Sequence, residues 1–161
     1  MKAVSTGLVV FAGLLATPLA NPADRPPVAT LPEDPRLVRL QQFLEEKACP
    51  AHRFAEEFIA AADAYALDWR LLPSIAFVES GGGKAYNNNN ILGWGNGKLR
   101  FPSIRAGIQE VARVLGTSPR YRDKDVDEIL RSFNPEHADY VLRVKTVMQQ
   151  IARTEIASAF N

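Results

Sequence analysis

The sequence predicts a mainly helical domain with a loop-rich insert near its middle. Apolar residues recur at spacings of three and four over most of the chain beyond residue 36, which is typical of helices packed on a core. No segment shows the convincing period-two alternation of a half-buried strand. The 161 residues are 47% apolar and 23% charged, which fits one globular domain and excludes a disordered chain.

The N-terminal region has the pattern of a secretory signal followed by a linker. Lys2 precedes an uncharged stretch over 7–19, so we expect residues 1–20 to be a signal peptide. The apolar run is too short for a spanning helix, and a buried N-terminal helix is the alternative. Five prolines within 21–35 predict a linker. The folded domain is then 36–161, in a secreted or periplasmic protein with no stable membrane insertion after signal cleavage.

Six helices are predicted beyond the linker. They cover about 37–49, 52–66, 69–80, 104–115, 126–133 and 137–156. Asp68 and Ser103 can cap the third and fourth helices, and Gly116 is expected just past the end of the fourth. Between these helices, 91–101 has the turn chemistry of a short β-hairpin, so the insert is predicted to be a loop or a small hairpin.

Composition excludes several kinds of site. The single cysteine, Cys49, cannot form an internal disulfide or a multi-cysteine zinc site. His52 and His137 are too far apart for a local His-Glu-x-x-His zinc motif. We therefore expect neither a metal nor a cofactor. The formal net charge of +1 gives no indication of nucleic-acid binding.

Charge is nevertheless uneven along the chain. The stretch from Lys98 to Arg122 contains six basic residues and one acid, Glu110. A basic stripe near a cleft would suit an anionic polymer. The alternative is that these residues form the solvated faces of amphipathic helices.

The insert over 80–99 is rich in glycine and asparagine and contains an indole, Trp94. Amide side chains and an exposed indole suit sugars, which offer directional hydrogen bonds and a flat apolar face. We expect 87–97 to line a groove with Trp94 stacked on a sugar, so that Trp94→Ala leaves thermal stability nearly unchanged. The alternative is an asparagine-rich surface loop without a function.

Glu79 is the residue that favours a catalytic interpretation. Helical register places it on the same face as Leu72, Ile75 and Ala76, in the last turn before Gly81. Burial and the negative end of the helix dipole both predict a raised pKa for this carboxyl group. A protonated carboxyl beside a sugar-binding loop is what glycosidic cleavage requires of a general acid. The alternative is a glutamate whose stem reaches past the core to solvent.

Several motifs, in order, resemble those of the lysozyme-like superfamily. The segment 67–81 ends in Glu-Ser-Gly and resembles the catalytic helix of the lytic transglycosylases. The segment 89–93, Asn-Asn-Ile-Leu-Gly, resembles the Asn-Asn-Leu-Phe-Gly motif of the peptidoglycan glucosaminidases (endo-β-N-acetylglucosaminidase-like). Three further segments are similar to glucosaminidase motifs: Phe101-Pro102-Ser103, Pro119-Arg120-Tyr121 and Tyr140–Val144. Two positions depart from the family pattern: Phe133 stands near a usual tyrosine, and Trp94 follows Gly93 where an aliphatic residue is usual.

The resemblance implies a lysozyme-like α+β fold, an insert that lines a glycan-binding groove, and a monomer that cleaves the β-1,4 glycan strand of peptidoglycan. The N-acetylglucosaminidase type is favoured, with a lytic transglycosylase as the second possibility, and Glu79 is the expected catalytic acid. An inactive cell-wall glycan-binding module is the alternative from another functional class. The expected substrate-binding residues are Ser80, Asn89, Asn90, Gly93, Trp94, Tyr121 and Tyr140.

The mechanism expected is a single-acid one. Two-carboxylate glycosidases place a second acid across the scissile bond, but no carboxylate occurs between Ser80 and Gln109. Glu79 would protonate the glycosidic oxygen while the 2-acetamido group of the substrate stabilises the sugar cation. Glu110 and Asp123 are the next carboxylates, and one from the 123–128 cluster remains an open alternative.

Overall fold

A computed structural model describes residues 34–155. In this part of the chain there are six α-helices, one 3-10 helix and no strand, so the mainly helical class is confirmed. The predicted signal peptide, most of the linker and residues 156–161 lie outside the described residues. The elements are α1 (Pro35–Glu46), the 3-10 helix (Pro50–Phe54), α2 (Ala55–Ala64), α3 (Leu71–Ser80), α4 (Ile104–Thr117), α5 (Val126–Phe133) and α6 (Tyr140–Arg153).

Of the two forms predicted for the insert, the hairpin is wrong. Residues 81–101 form consecutive turns without a strand ladder. The expected end of the linker is also shifted, because Pro35 is already the first residue of α1. Proline is well suited to that position, where its missing N–H group has no intrahelical partner to lose.

Helix α3 packs against α2 and α6. Its residues are buried from Leu71 to Ala76, because this short helix is apolar on almost every side. The carboxylate of Asp68 accepts a hydrogen bond from the Arg70 N–H group (2.9 Å), so it closes the turn that leads into α3. The N-cap of α3 is Arg70, without a side-chain cap bond, so the predicted Asp68 cap is wrong and the helix begins at Leu71, slightly later than predicted.

The end of α3 is fixed by a left-handed glycine. Gly81 has φ +63°, and its N–H group donates to the Phe77 carbonyl (3.0 Å). The next N–H group, of Gly82, donates to the Ala76 carbonyl (3.1 Å). These two bonds terminate the helix immediately after Glu79 and Ser80, so the last turn of α3 is held in a defined position.

Helix α4 starts as predicted and ends later. Ser103 Oγ accepts a hydrogen bond from the Ala106 N–H group (3.1 Å), which confirms the predicted cap. Gly116 was expected beyond the helix but lies inside it. A Cβ at residue 116 would stand 2.6 Å from the Tyr65 carbonyl oxygen, so this glycine allows α4 to approach the end of α2 closely.

Helix α5 has the predicted bounds, and its start carries a reciprocal cap between Asp125 and Glu128. Helix α6 begins at Tyr140 rather than at His137. Residues 135–139 are all exposed, so no apolar face supports a helix there. None of the helices in 34–155 has the length and hydropathy needed to cross a membrane.

Candidate functional site

Glu79 lies half-buried in the last turn of α3, at the wall of a groove of about 470 Å³. Leu72, Ile75 and Ala76 of the same helix face are buried, as the register predicts. Among the described residues, no lysine, arginine or histidine forms an ion pair with Glu79. The groove is lined by Glu79, Gly93, Trp94, Gly95, Asn96, Arg120, Tyr121, Phe133, Asn134, Pro135 and Glu136.

Gly93 packs directly against the Glu79 carboxyl group. A Cβ at residue 93 would stand 2.7 Å from Glu79 Cδ and still nearer to Oε2. Gly93 also has φ +66°, a backbone conformation that side chains with a Cβ rarely adopt. The insert therefore approaches the carboxyl group as closely as its backbone allows.

Tyr140 contacts Glu79 from inside the core. Its side chain is 1% exposed, and burial raises the pKa of its hydroxyl, with the negative charge of Glu79 raising it further. The hydroxyl makes no hydrogen bond of ordinary geometry within 34–155. It is thus a protonated donor beside the carboxylate, available to hold Glu79 in one orientation.

Four aromatic rings form a continuous cluster next to Glu79. The Trp94 ring centroid lies 5.3 Å from that of Phe133 and 6.0 Å from that of Tyr121. Phe133 stacks on Tyr140, with 5.9 Å between centroids and 5° between planes. Trp94 is half-buried and packs on the core as well as lining the groove. The expectation that Trp94→Ala leaves stability nearly unchanged does not fit this packing.

The glycine and asparagine content of the insert reflects its backbone. A left-handed backbone conformation is strained for most residues with a Cβ. Glycine has no steric conflict in it, and asparagine tolerates it. Ile91 and Leu92 are each 1% exposed, so the insert also carries its own apolar anchors. Its composition is therefore explained without a ligand. The residues of 87–97 with positive φ are Asn88, Asn89, Gly93, Gly95, Asn96 and Gly97.

Asn90 is a structural residue of the insert. Its Nδ2 donates to the carbonyl oxygens of Trp94 (2.9 Å) and Leu99 (3.1 Å), and its Oδ1 accepts from the Trp94 N–H group (2.9 Å). The side chain is buried, both hydrogens of Nδ2 are used within the insert, and Oδ1 already accepts a hydrogen bond there. Asn90 instead positions Trp94.

Ser80 and Asn89, two other residues expected to bind substrate, also bond within the protein. Ser80 Oγ donates to the Ala76 carbonyl (2.8 Å) and accepts from the Gly83 N–H group (2.9 Å). Asn89 Nδ2 donates to the Phe101 carbonyl (2.9 Å). Neither residue lines the groove. Of the predicted site, the structure brings together Glu79, Gly93, Trp94 and Tyr121 at the groove, with Tyr140 behind them.

A second carboxylate, Glu136, lines the groove, and the sequence pattern predicts no role for it. The carboxylates considered from sequence as a second catalytic group, Glu110 and those of 123–128, do not line the groove. Glu110 pairs with Arg113, and the side chains of Asp125 and Glu128 cap α5. The remaining two of these carboxylates also form ion pairs, Asp123 with Arg122 and Asp127 with Lys145. Glu136 is exposed in the turn between α5 and α6, where no periodic pattern marks it. Its position three residues after Phe133, which stands near a usual tyrosine of the resembled family, is the signal that could have identified it.

Within 34–155, no group of three or more histidine, cysteine, aspartate or glutamate side chains could hold a metal ion. Comparisons with protein-family models, with curated proteins and with solved structures find no match to this chain. The function proposed below therefore depends on the residues of the groove.

Proposed function

We propose that this chain is an exported glycosidase of the lysozyme-like type that cleaves the β-1,4 glycan strand of peptidoglycan, with Glu79 as the general acid. One observation carries the proposal. An unpaired, half-buried carboxyl group lies at the wall of a groove that aromatic rings and amide groups also line. The N-acetylglucosaminidase reaction is favoured, and lytic transglycosylation is the second possibility.

In this proposal Glu79 donates a proton to the glycosidic oxygen as the bond to the leaving sugar breaks. The Tyr140 hydroxyl orients the carboxyl group, and Gly93 leaves room for the substrate oxygen to approach it. The face of Trp94 that is free of the core packs against a sugar ring. The 2-acetamido group of the substrate stabilises the sugar cation, and water or an internal hydroxyl group completes the reaction.

Glu136 supports a variant of the same mechanism. A second carboxylate on a groove wall can activate water or stabilise the cation, as in two-carboxylate glycosidases. The single-acid scheme requires no second carboxylate, so substitution of Glu136 separates the two schemes.

The experiment that tests the function is digestion of purified peptidoglycan followed by mass spectrometry of the muropeptides. Reducing N-acetylglucosamine ends identify a glucosaminidase, and anhydro ends identify a transglycosylase. Glu79→Gln should yield neither product. Glu110→Gln is the matched control, because Glu110 is exposed, paired with Arg113 and outside the groove. Binding to peptidoglycan without any product would overturn the proposal in favour of a binding module.

Export is tested separately. Protein recovered outside the cytoplasm should lack residues 1–20, as read by N-terminal sequencing or intact mass. An intact N-terminus on protein confined to the cytoplasm would contradict this part of the proposal.

A further inference from the structure

Among residues 34–155, Arg120 is the one cationic side chain that lines the groove, beside the two carboxylates Glu79 and Glu136. A strand of N-acetylglucosamine alone carries no charge, so it has no group that a guanidinium group would pair with. A glycan with carboxylate-bearing substituents has such a group. The charge of Arg120 therefore bears on which glycan the groove accepts.

The guanidinium group of Arg120 is held in place by the protein. Its Nη2 donates to the Ser132 carbonyl oxygen (2.6 Å). Its Cζ lies 5.5 Å from the centre of the Tyr121 ring, which is 5% exposed. A guanidinium group has five N–H donors in a rigid plane, so one bond to a carbonyl leaves most of them unused.

Three of the other four arginines in the stretch 98–122 form ion pairs, and the fourth, Arg100, does not line the groove. Arg105 pairs with Glu57, Arg113 with Glu110, and Arg122 with Asp123. Among the described residues, no carboxylate forms an ion pair with Arg120. Arg120 thus combines a fixed orientation, an uncompensated positive charge and a position at the groove.

We propose that Arg120 binds a carboxylate carried by a substituent of the substrate strand, so that the groove selects glycans with carboxylate-bearing peptide or acyl groups over neutral ones. The planar guanidinium matches a carboxylate through two parallel hydrogen bonds. This inference rests on the proposed function and deepens it. Because the substituent that Arg120 would bind takes no part in the bond that breaks, the contact stabilises the bound substrate and the transition state alike and acts mainly on KM.

The test compares two forms of one substrate. Solubilised peptidoglycan strands that carry peptides are used as prepared, and a second portion has its carboxyl groups converted to amides. We expect the wild-type chain to prefer the carboxylate form. Arg120→Gln should reduce that preference, measured as the ratio of kcat/KM values, by about tenfold, since a hydrogen bond to a charged group contributes about that factor.

Arg122→Gln is the matched control, because it removes the same charge two residues away and outside the groove. It should leave the ratio of kcat/KM values at the wild-type level. An unchanged ratio in Arg120→Gln, or an equal loss of preference in both variants, would overturn the inference. A loss that appears in kcat with KM unchanged would also overturn it.

Failure of the proposed function gives a different result. If the wild-type chain cleaves neither form, the proposed glycosidase activity fails while the assignment of Arg120 is still tested by binding. Isothermal titration with the two strand preparations should then show that Arg120→Gln, but not Arg122→Gln, loses the preference for the carboxylate form. Equal affinity of the wild-type chain for both forms would overturn the inference.

Discussion

The backbone of Gly93 lies against the carboxyl group of Glu79, so that a Cβ at residue 93 would stand 2.7 Å from Glu79 Cδ. This contact joins the insert to the last turn of α3. It brings the insert next to Glu79, the carboxylate that helical register places on the apolar face of α3. The composition of the insert alone has a purely structural explanation. The contact also provides a direct way to perturb Glu79 without replacing it.

Gly93→Ala should displace the Glu79 carboxyl group and reduce peptidoglycan cleavage by at least about tenfold, the loss expected when a catalytic group is misplaced. It also forces an alanine into a left-handed conformation, which costs about 1 kcal/mol of stability. Gly97→Ala is the matched control. Gly97 has φ +73°, and a Cβ added there would have no atom within 4 Å, so Gly97→Ala introduces backbone strain without a side-chain clash. Equal activity of the two variants, measured on purified peptidoglycan, would contradict the role given to this contact.

Trp94→Ala should lower the free energy of unfolding by about 2 kcal/mol, because the indole packs on two other rings and on the core. Chemical denaturation measures this change. Tyr86 lies in the same insert and is 42% exposed, so Tyr86→Ala should lower the free energy of unfolding much less. Trp94→Phe retains part of the packing, so it is the better variant for measuring glycan binding. Equal stability of Trp94→Ala and the wild-type chain would show that the indole is held outside the core.

Tyr140 should make the domain sensitive to alkaline pH. Folding raises the pKa of Tyr140 above the value of about 10 in the unfolded chain. The resulting stabilisation of the folded state is complete below about pH 10. It is lost as pH rises above that value, at up to about 1.4 kcal/mol per pH unit. Tyr140→Phe should therefore flatten the decline in stability above about pH 10, as measured by denaturation at several pH values. Tyr86→Phe, at an exposed ring, should leave the decline unchanged. If the free energy of unfolding declines equally above pH 10 in the wild-type chain and in Tyr140→Phe, residue 140 does not carry a buried, neutral hydroxyl.

The fold and the site were accessible from sequence to different degrees. Apolar spacing predicted the bounds of α5 and the placement of Glu79 at the end of a buried helix, because both follow from the 3.6-residue period. The cap at Ser103 followed from local hydrogen-bonding chemistry. These features depend on residues that lie close together in the chain.

Features that depend on distant contacts were missed or misread. The sequence pattern predicts that Gly116 stops α4, but this glycine instead allows the close approach of Tyr65, which lies far away in sequence. The insert supplies Gly93, Trp94, Gly95 and Asn96 to the groove, whereas Asn90, also expected to bind substrate, uses its amide to hold Trp94. Glu136 has no periodic signal, since an exposed turn residue follows no helical or strand period. Only the tertiary structure places it on the same groove as Glu79.

Glu136→Gln should distinguish the single-acid scheme from a two-carboxylate scheme. In the single-acid scheme its effect on kcat is less than about threefold, well below the range of 10²–10⁴ typical of an acid–base catalyst. A fall of that larger size, with KM little changed, would assign Glu136 a catalytic role. Because Glu136 is exposed, its replacement should leave the melting temperature within the range of other surface changes. Glu128→Gln is a poor control because Glu128 caps α5, so Glu110→Gln is preferred.

The most direct test of the account is Glu79→Gln, measured by peptidoglycan turnover and by thermal melting of the same preparation. The amide is nearly isosteric with the carboxyl group and has no ion pair to break, so the melting temperature should stay close to that of the wild-type chain. It cannot deliver a proton, so turnover should fall by a factor of about 10²–10⁴ or below detection. Unchanged turnover, or a large fall in melting temperature that accounts for lost activity, would contradict Glu79 as the catalytic acid.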